Sequence, residues 1–406
     1  MPAQTTLKRT LSLPLITFYG LGTIIGAGIY VLIGAVASQA GIYAPLSFLL
    51  AAIIAGFTAF SYAELSSRLP RSAGEAIYLQ EAFGLKWLSA TTGWCVVAVG
   101  IVSSATIVNG FSGYLDIFIQ LPDWLVITAV ILCLGLIAAW GINESVWTAA
   151  IITVIEIAGL GLVVFVAGDS LLQLPERWPE LVPPADAAIW SGIVLGAFLA
   201  FYAFIGFEDM VNIAEEVKDA SHMLPKAIII ALVISTSLYL VIALVAVLAL
   251  PVEELAASEA PLAAVVAAHG KQHTLLISGI SLVAVLNGAL IQIIMVSRIL
   301  YGMGRSGLGW KKLATVHSRT RTPLLATAIV SLLVLMMALW LPLATLAQIT
   351  SFITLVIFSA INLALIKLKF REPSLSGISH YPLWVPVIGC LLSVALLGFQ
   401  ATSLIA

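Results

Sequence analysis

Residues 20–29 read Gly20-Leu21-Gly22-Thr23-Ile24-Ile25-Gly26-Ala27-Gly28-Ile29. Four glycines fall in nine residues, in the middle of an apolar run from about residue 15 to 40. Such a run has the length of a membrane span, about 20 apolar residues. Glycine is a poor helix former, so the cluster predicts unwinding near 26–28. A second such place is Phe201-Tyr202-Ala203-Phe204-Ile205-Gly206-Phe207-Glu208-Asp209, where the glycine stands beside two carboxylates in another apolar run. A glycine run alone also reads as a small-residue face for helix packing. The second interruption, at a corresponding place, favours breaks in both.

Outward from these stretches, apolar runs of spanning length occur near 15–40, 45–67, 84–113, 124–141, 146–168, 189–213, 226–250, 272–303, 323–341, 345–368 and 384–405. The fourth and fifth are separated only by Gly141-Ile142-Asn143-Glu144. With the N-terminus inside and the spans alternating, Lys8, Arg9, Arg68, Arg71, Lys86, Lys218, Lys226, Arg298, Arg305, Lys311, Lys312, Arg319, Arg321, Lys367, Lys369 and Arg371 fall on or beside the cytoplasmic side. Only Arg177 and Lys271 fall outside. A wrong span count would scramble this partition, so the positive-inside rule supports eleven spans and an outside C-terminus. All loops are short, which implies one membrane domain across residues 1–406.

Composition agrees. The chain is 61% hydrophobic and 9% charged, against about 25% charged in soluble domains, so most of its outer surface must face a lipid bilayer. A net charge of −2 gives no sign of a nucleic-acid partner. Cys95, Cys133 and Cys390 lie in apolar runs and read as packing residues. Of the five histidines only His273 falls inside a run, at the very edge of 272–303, which gives no sign of a metal cluster in the membrane or of a buried Ser/His pair. That pattern speaks against an intramembrane hydrolase, and no cofactor is expected beyond a coupling ion, H+ or Na+.

The first and sixth runs are five apart, the separation expected of a five-plus-five inverted repeat. Residues 12–168 and 187–369 would be the two repeats, with 384–405 an extra span. Unwound backbone bares N–H groups and the positive end of a half-helix, which hold a carboxylate. Freed carbonyls hold an ammonium group or a sodium ion. Together they suit a zwitterion.

Several motifs then resemble one family. Gly22-Thr-Ile-Ile-Gly-Ala-Gly-Ile-Tyr30, Ser61-Tyr-Ala-Glu64-Leu-Ser-Ser-Arg68-Leu-Pro70, Phe204-Ile-Gly-Phe-Glu208 with Ala214-Glu215-Glu216-Val-Lys218 and Leu224-Pro225-Lys-Ala-Ile228, and Ser297-Arg298-Ile-Leu-Tyr301-Gly-Met303-Gly-Arg305 with Arg321-Thr322-Pro323 occur in order along nearly the whole chain. The set resembles the amino acid–polyamine–organocation permeases, in particular their bacterial cationic-amino-acid-transporter-like branch. The resemblance implies an all-α integral membrane protein of the leucine-transporter type, with broken first and sixth helices, that transports amino acids by alternating access. It implies that the backbone at Ile25, Gly26, Ala27 and Gly28 holds the substrate carboxylate. Carbonyls around Phe204, Ile205 and Phe207, at the Gly206 break, would hold the amino group. Many relatives have twelve spans, so the short C-terminus departs from the pattern.

Polar residues inside spans need a reason, since a central carboxylate costs about 2.5–3.5 kcal/mol on insertion scales. Glu156 lies near the midpoint of the fifth span, where many members of the resembled family carry a lysine. It is expected to face the unwound first helix and titrate, coupling proton movement to transport; a permanently protonated, structural Glu156 is the competing reading. Glu208 and Asp209 lie just past the Gly206 break, where one is expected to bond free backbone N–H groups and a gating or proton role is second. Glu215, Glu216 and Lys218 read as a cytoplasmic charge cluster. Asn109, Ser103, Ser104 and Thr106 on the third span, and Ser351 and Thr354 on the tenth, are candidates to line the cavity, although Ser and Thr also bond their own helix carbonyls. Asn287 is expected to have an interhelical partner.

A small or aliphatic neutral amino acid is preferred as substrate, with side-chain selection by Tyr202, Phe204 and Phe207, and a cationic one stays open. A sodium symporter would use carbonyls near Gly22 and Thr23 with hydroxyls such as Ser278 or Ser281. A polyamine or amine antiporter is a further alternative, and a channel or sensor a remote one, since no pore loop or signalling domain is visible. The expected location is the cell (inner) membrane, and the oligomeric state is left open.

Overall fold

A computed structural model describes residues 9, 11–26, 28–71, 74–140, 145–305, 307–317, 320, 322–372 and 377–403. Ala27, the 141–144 connection and the basic residues Lys8, Arg319 and Arg321 lie outside the described residues. Among the described residues there are helices and one isolated bridge, between Leu11 and Val217, but no named strand. Backbone polar groups in lipid must be satisfied within the segment, which favours helices wherever apolar runs occur.

The helices are α1 (Leu13–Ile25), α2 (Gly28–Ala40), α3 (Ala44–Arg68), α4 (Gly74–Phe83), α5 (Lys86–Leu115), α6 (Asp123–Trp140), α7 (Ser145–Ala167), α8 (Leu174–Arg177), α9 (Ala187–Phe201), α10 (Ala220–Ala249), α11 (Val252–Ala257), α12 (Pro261–His269), α13 (Thr274–Arg305), α14 (Leu324–Trp340), α15 (Leu343–Arg371) and α16 (Trp384–Ser403). Over its described residues each of the eleven expected apolar runs is helical, apart from interruptions in the first and sixth. Among the described residues, eight helical stretches are long and apolar enough to cross a membrane, the first of them (Leu13–Arg68) joining two expected runs. The helices at 123–139 and 324–340 are apolar but shorter.

Local chemistry sets several boundaries. Asp186 precedes α9 and its carboxylate accepts from the N–H groups of Ala188 and Ile189 at 2.8 and 3.2 Å, satisfying donors a helix start leaves open. Proline stands in the first turn of α1 and of α3, where its missing N–H costs nothing. The outer faces of α6 and α7 expose large apolar side chains, Leu136 at 72% and Phe165 at 82%. Apolar patches of this kind would be a liability in water and are the normal surface in lipid.

α1 lies at the centre, against α7, α10 and α13. α13 and α15 each pack on α5, α3 packs on α9 and α10, and α16 sits at the periphery on α15 and α3. α4 lies between the second and third runs, where the apolar pattern predicts only a loop, and packs against α5 and α15.

Candidate functional site

The first break comes between α1 and α2. Gly26 has φ −10° and ψ −99°, outside any helical geometry, and α2 begins at Gly28. In the sixth run α9 ends at Phe201, a tight 3-10 turn covers Tyr202–Phe204, and a 3-10 stretch resumes over Glu208–Glu216. Between them Gly206 takes φ +130°, a conformation that side chains with a Cβ rarely adopt.

The two breaks press against each other. A Cβ on Gly28 would stand 2.5 Å from the Ala203 Cα, and one on Gly206 2.7 Å from the Thr23 carbonyl carbon. The Thr23 hydroxyl is 2.9 Å from the carbonyls of both Gly20 and Gly206. From α10, the Tyr239 hydroxyl donates to the Ile24 carbonyl at 2.6 Å, with the Ala203 carbonyl also in reach at 3.0 Å. The remaining glycines serve packing: a Cβ on Gly20 would meet the Met210 sulfur at 2.4 Å, and one on Gly22 the Thr153 hydroxyl at 2.3 Å. The first glycine cluster therefore supplies both a packing face and a break. Chemically, the start of α2 offers N–H groups without intrahelical partners, while the end of α1 offers carbonyls.

Glu156 is fully buried, and its Oε1 accepts from the Asn287 amide at 3.0 Å. Its Oε2 has no partner among the described residues. The Asn287 amide nitrogen also lies 3.4 Å from where a Gly22 Cβ would be, so the Glu156–Asn287 pair stands beside α1. The Tyr30 hydroxyl donates to the Glu156 backbone carbonyl at 2.6 Å, tying α2 to α7.

On the side of the breaks toward α4, Glu208 Oε2 accepts from the Gly206 N–H at 2.9 Å. Thus one of the two expected carboxylates bonds the broken backbone. Asp209 instead accepts from the Gln292 amide at 2.9 Å. Both, with Glu75 from α4, line a cavity of about 10 Å³, on the order of one water. Glu75 is 2% exposed, with the Tyr62 hydroxyl 3.5 Å from its Oε1. Burial pushes the Glu75 carboxyl up to about 7. Phe207 and Phe358 pack edge-on or tilted against Tyr62 and each other, with centroids 5.3–5.6 Å apart, and close the apolar side of this space.

Other expected residues are placed as follows. Ser351 and Thr354 are buried on α15 with unpartnered hydroxyls, and Thr354 lines the cavity. Ile205 lines it too, while Phe204 stacks on Tyr239 at 5.1 Å. Tyr202 meets Ser103 at 3.0 Å. Asn109 does not join this cavity: its amide donates to the carbonyls of Ala338 and Leu341 at 3.1 and 3.4 Å, satisfying the carbonyl end of α14. Ser104 and Thr106 bond their own helix carbonyls, as do Ser278 and Ser281. Sequence reading missed Glu75, Gln292 and Tyr239. Glu75 had a signal, because positions 75, 78, 79 and 82 are the buried face of a helical repeat.

A family model described as amino acid permease matches residues 11–404. The chain is 29% identical to the branched-chain amino acid permease BcaP of Bacillus subtilis, over 95% of this chain and 86% of that protein. It is 32% identical to the vacuolar cationic amino acid transporter 2 of Arabidopsis thaliana, over 90% of this chain but only 61% of that longer protein. It is 27% identical to the methylthioribose transporter of Bacillus subtilis, over 94% and 86%. In fold it is similar to a Na+-coupled sialic acid symporter solved in a substrate-bound outward-open state, with a TM-score of 0.61, 14% identity, and coverage of 93% and 88%. At that identity the likeness concerns the fold alone.

Proposed function

The chain belongs to the amino acid permease family and is a multi-pass membrane protein of amino acid transport, and we propose that it works as a secondary carrier by alternating access. The observation that carries this reading is the apposition of two interrupted helices at Gly26 and Gly206, joined through Thr23 and Tyr239. The substrate carboxylate sits on the N–H groups opening α2, around Ile25, Gly26, Ala27 and Gly28. The amino group takes carbonyls around Phe204, Ile205 and Phe207. Ser351 and Thr354 present unpartnered hydroxyls on the facing helix.

Residues 12–168 and 187–369 act as inverted repeats, and 384–405 is added to them. The Lys/Arg distribution puts the N-terminus and α4 on the cytoplasmic side of a cell membrane and the C-terminus outside. A neutral aliphatic amino acid is the first substrate to try, in keeping with the branched-chain relative; the cationic relatives make lysine and arginine the second. Glu156 serves as the proton-coupling group, with Glu208 and Asp209 at the gate. For a sodium symporter, Ser278 and Ser281 would have to give up the bonds they make to their own helix.

The test is a binding screen of the purified protein against the amino acids, followed by counterflow in liposomes with imposed proton or sodium gradients. Saturable binding of one class and counterflow of the same class are expected. Gly206→Ala should abolish both, because the new Cβ collides with the Thr23 backbone. Absence of binding across all amino acids, or flux that does not saturate, would remove the carrier reading.

A further inference from the structure

Glu75 is the member of the cavity near the sixth-helix break to which transport has so far assigned no task. It belongs to α4, outside the spanning helices, yet its side chain turns inward and is almost wholly buried. There it meets Glu208 and Asp209 across a space that holds about one water. No Lys, Arg or His among the described residues forms an ion pair with any of the three. Three carboxylates so close together in a low dielectric cannot all be ionised. Without a cation, the compensation available is protons, held by the group rather than by one member.

Two further groups point into the same space. Gln292 spends its amide N–H on Asp209, and its carbonyl oxygen has no partner among the described residues, although the residue is only 5% exposed. The Thr354 hydroxyl is likewise unpartnered. An oxygen with no donor beside a cavity of one water is placed to accept from that water, which can in turn relay a proton between carboxyls. The titratable groups that face Glu75 are Tyr62 from α3, Tyr78 from its own helix, and Glu208 and Asp209 from the sixth run. From α5, α13 and α15 it meets Val96, Val99, Gln292, Met295, Thr354 and Phe358, none of them ionisable. Of the cations of α15, Lys369 pairs with Glu64 on α3, while Arg371 and Lys367 engage the far end of α4, at Glu81 and over Phe83.

We propose that Glu75, Glu208 and Asp209 form one proton-binding site, separate from Glu156, and that Glu75 is the residue through which its proton exchanges with water on the α4 side. The step is a transfer alone. The O–H bond of a protonated Glu208 or Asp209 breaks as one forms on the cavity water, whose own proton passes to the Glu75 carboxylate. Its link to uptake rests on the carrier reading; the existence of the site does not. The position of Glu75, poised near neutrality by burial, suits a group that must both accept and release a proton.

Infrared difference spectra of the purified, substrate-free protein test this directly, with the protonated-carboxyl C=O band followed against pH and identified by its shift in D2O. The wild type should show a component titrating near pH 7. Glu75→Gln should lose it, Glu75→Asp should keep it with a displaced midpoint, and Glu156→Gln should keep it unchanged. A wild-type titration retained in Glu75→Gln overturns the proposal, as does its loss in Glu156→Gln alone. Amino acid binding is measured on the same samples. A wild type that binds no amino acid defeats the carrier reading, whereas an unaltered band in Glu75→Gln defeats the proton site.

Discussion

Glu64 and Glu156 are both fully buried carboxylates on long apolar helices, and their surroundings differ. Glu64 Oε1 accepts from Arg68 at 2.7 Å, Lys369 lies 2.6 Å from its oxygens, and the Tyr381 N–H donates to Oε2 at 2.9 Å. Glu156 has one neutral amide donor on one oxygen and nothing on the other. The first carboxylate is paired with two cations and ties α3 and α15 to the chain entering α16. The second can exist as acid or carboxylate, because an amide N–H donates to either form. Partner count, more than depth of burial, separates a carboxylate that holds the fold from one free to change state.

The comparison can be broken first at Glu64. Replacing it by Gln leaves Arg68 and Lys369, whose side chains are 3% and 5% exposed, without a counter-charge. Breaking a buried pair costs about 3–5 kcal/mol, so Glu64→Gln should lower the thermal midpoint in detergent more than any other change considered. An unchanged midpoint would mean that the cluster is solvated and that its partners do not matter.

Glu75 lies between the two extremes, buried with the Tyr62 hydroxyl 3.5 Å from its Oε1 and no ion pair among the described residues. Burial raises its folded-state value from 4.5 to about 7, so the folded protein binds the proton more tightly than the unfolded chain. The resulting stability is complete below about 4.5 and is lost as pH rises through about 7. At about 1.4 kcal/mol per unit this amounts to about 3 kcal/mol across the window. Stability of the wild type should therefore fall over that range, and Glu75→Gln should flatten the curve. Parallel curves for the two proteins would refute the assignment.

Much of this was legible beforehand, for a physical reason. Spans announce themselves through length and apolarity, and the breaks at Gly26 and Gly206 through glycines where a helix should continue. Glu156 and Asn287 each stood out as costly to bury, but they are 131 residues apart, and nothing local says that one answers the other. Tyr239 sits in an apolar run and reads as packing until its hydroxyl is seen at two freed carbonyls. Glu75 went unread because α4 has only 10 residues, below the length that a search for spans responds to. Asn109 failed in the opposite direction: a polar residue on a buried helix suggested a cavity, and it satisfies the end of α14 instead.

A smaller effect sharpens the contrast from the other partner. Asn287→Leu removes the one donor to Glu156 Oε1 among the described residues while leaving the acid buried. An unsatisfied buried group costs about 1–3 kcal/mol, so the thermal midpoint should drop, by less than in Glu64→Gln. The double variant Asn287→Leu/Glu156→Leu should recover most of the loss, since replacing both partners of a buried hydrogen bond by apolar groups is close to neutral. Losses that simply add would show that the pair is not coupled.

Glu156→Gln should have the smallest effect on stability and the most telling one on function. Glutamine keeps a carbonyl oxygen for the Asn287 amide and has nearly the shape of the protonated acid, so the thermal midpoint should move by less than about 1 kcal/mol equivalent. What glutamine cannot do is release a proton. If Glu156 couples proton movement to transport, amino acid accumulation driven by an inward proton gradient in liposomes should disappear, while counterflow at equal pH, which needs no net proton transfer, should persist. Gradient-driven accumulation unchanged in Glu156→Gln would make the acid a structural hydrogen-bond acceptor like any buried amide. The distinction from Glu64 would then rest on charge alone, and coupling would have to be sought at the carboxyls facing α4. Loss of both activities with an intact thermal midpoint would place Glu156 in substrate binding instead, because only a group needed in every transport cycle removes exchange along with uptake.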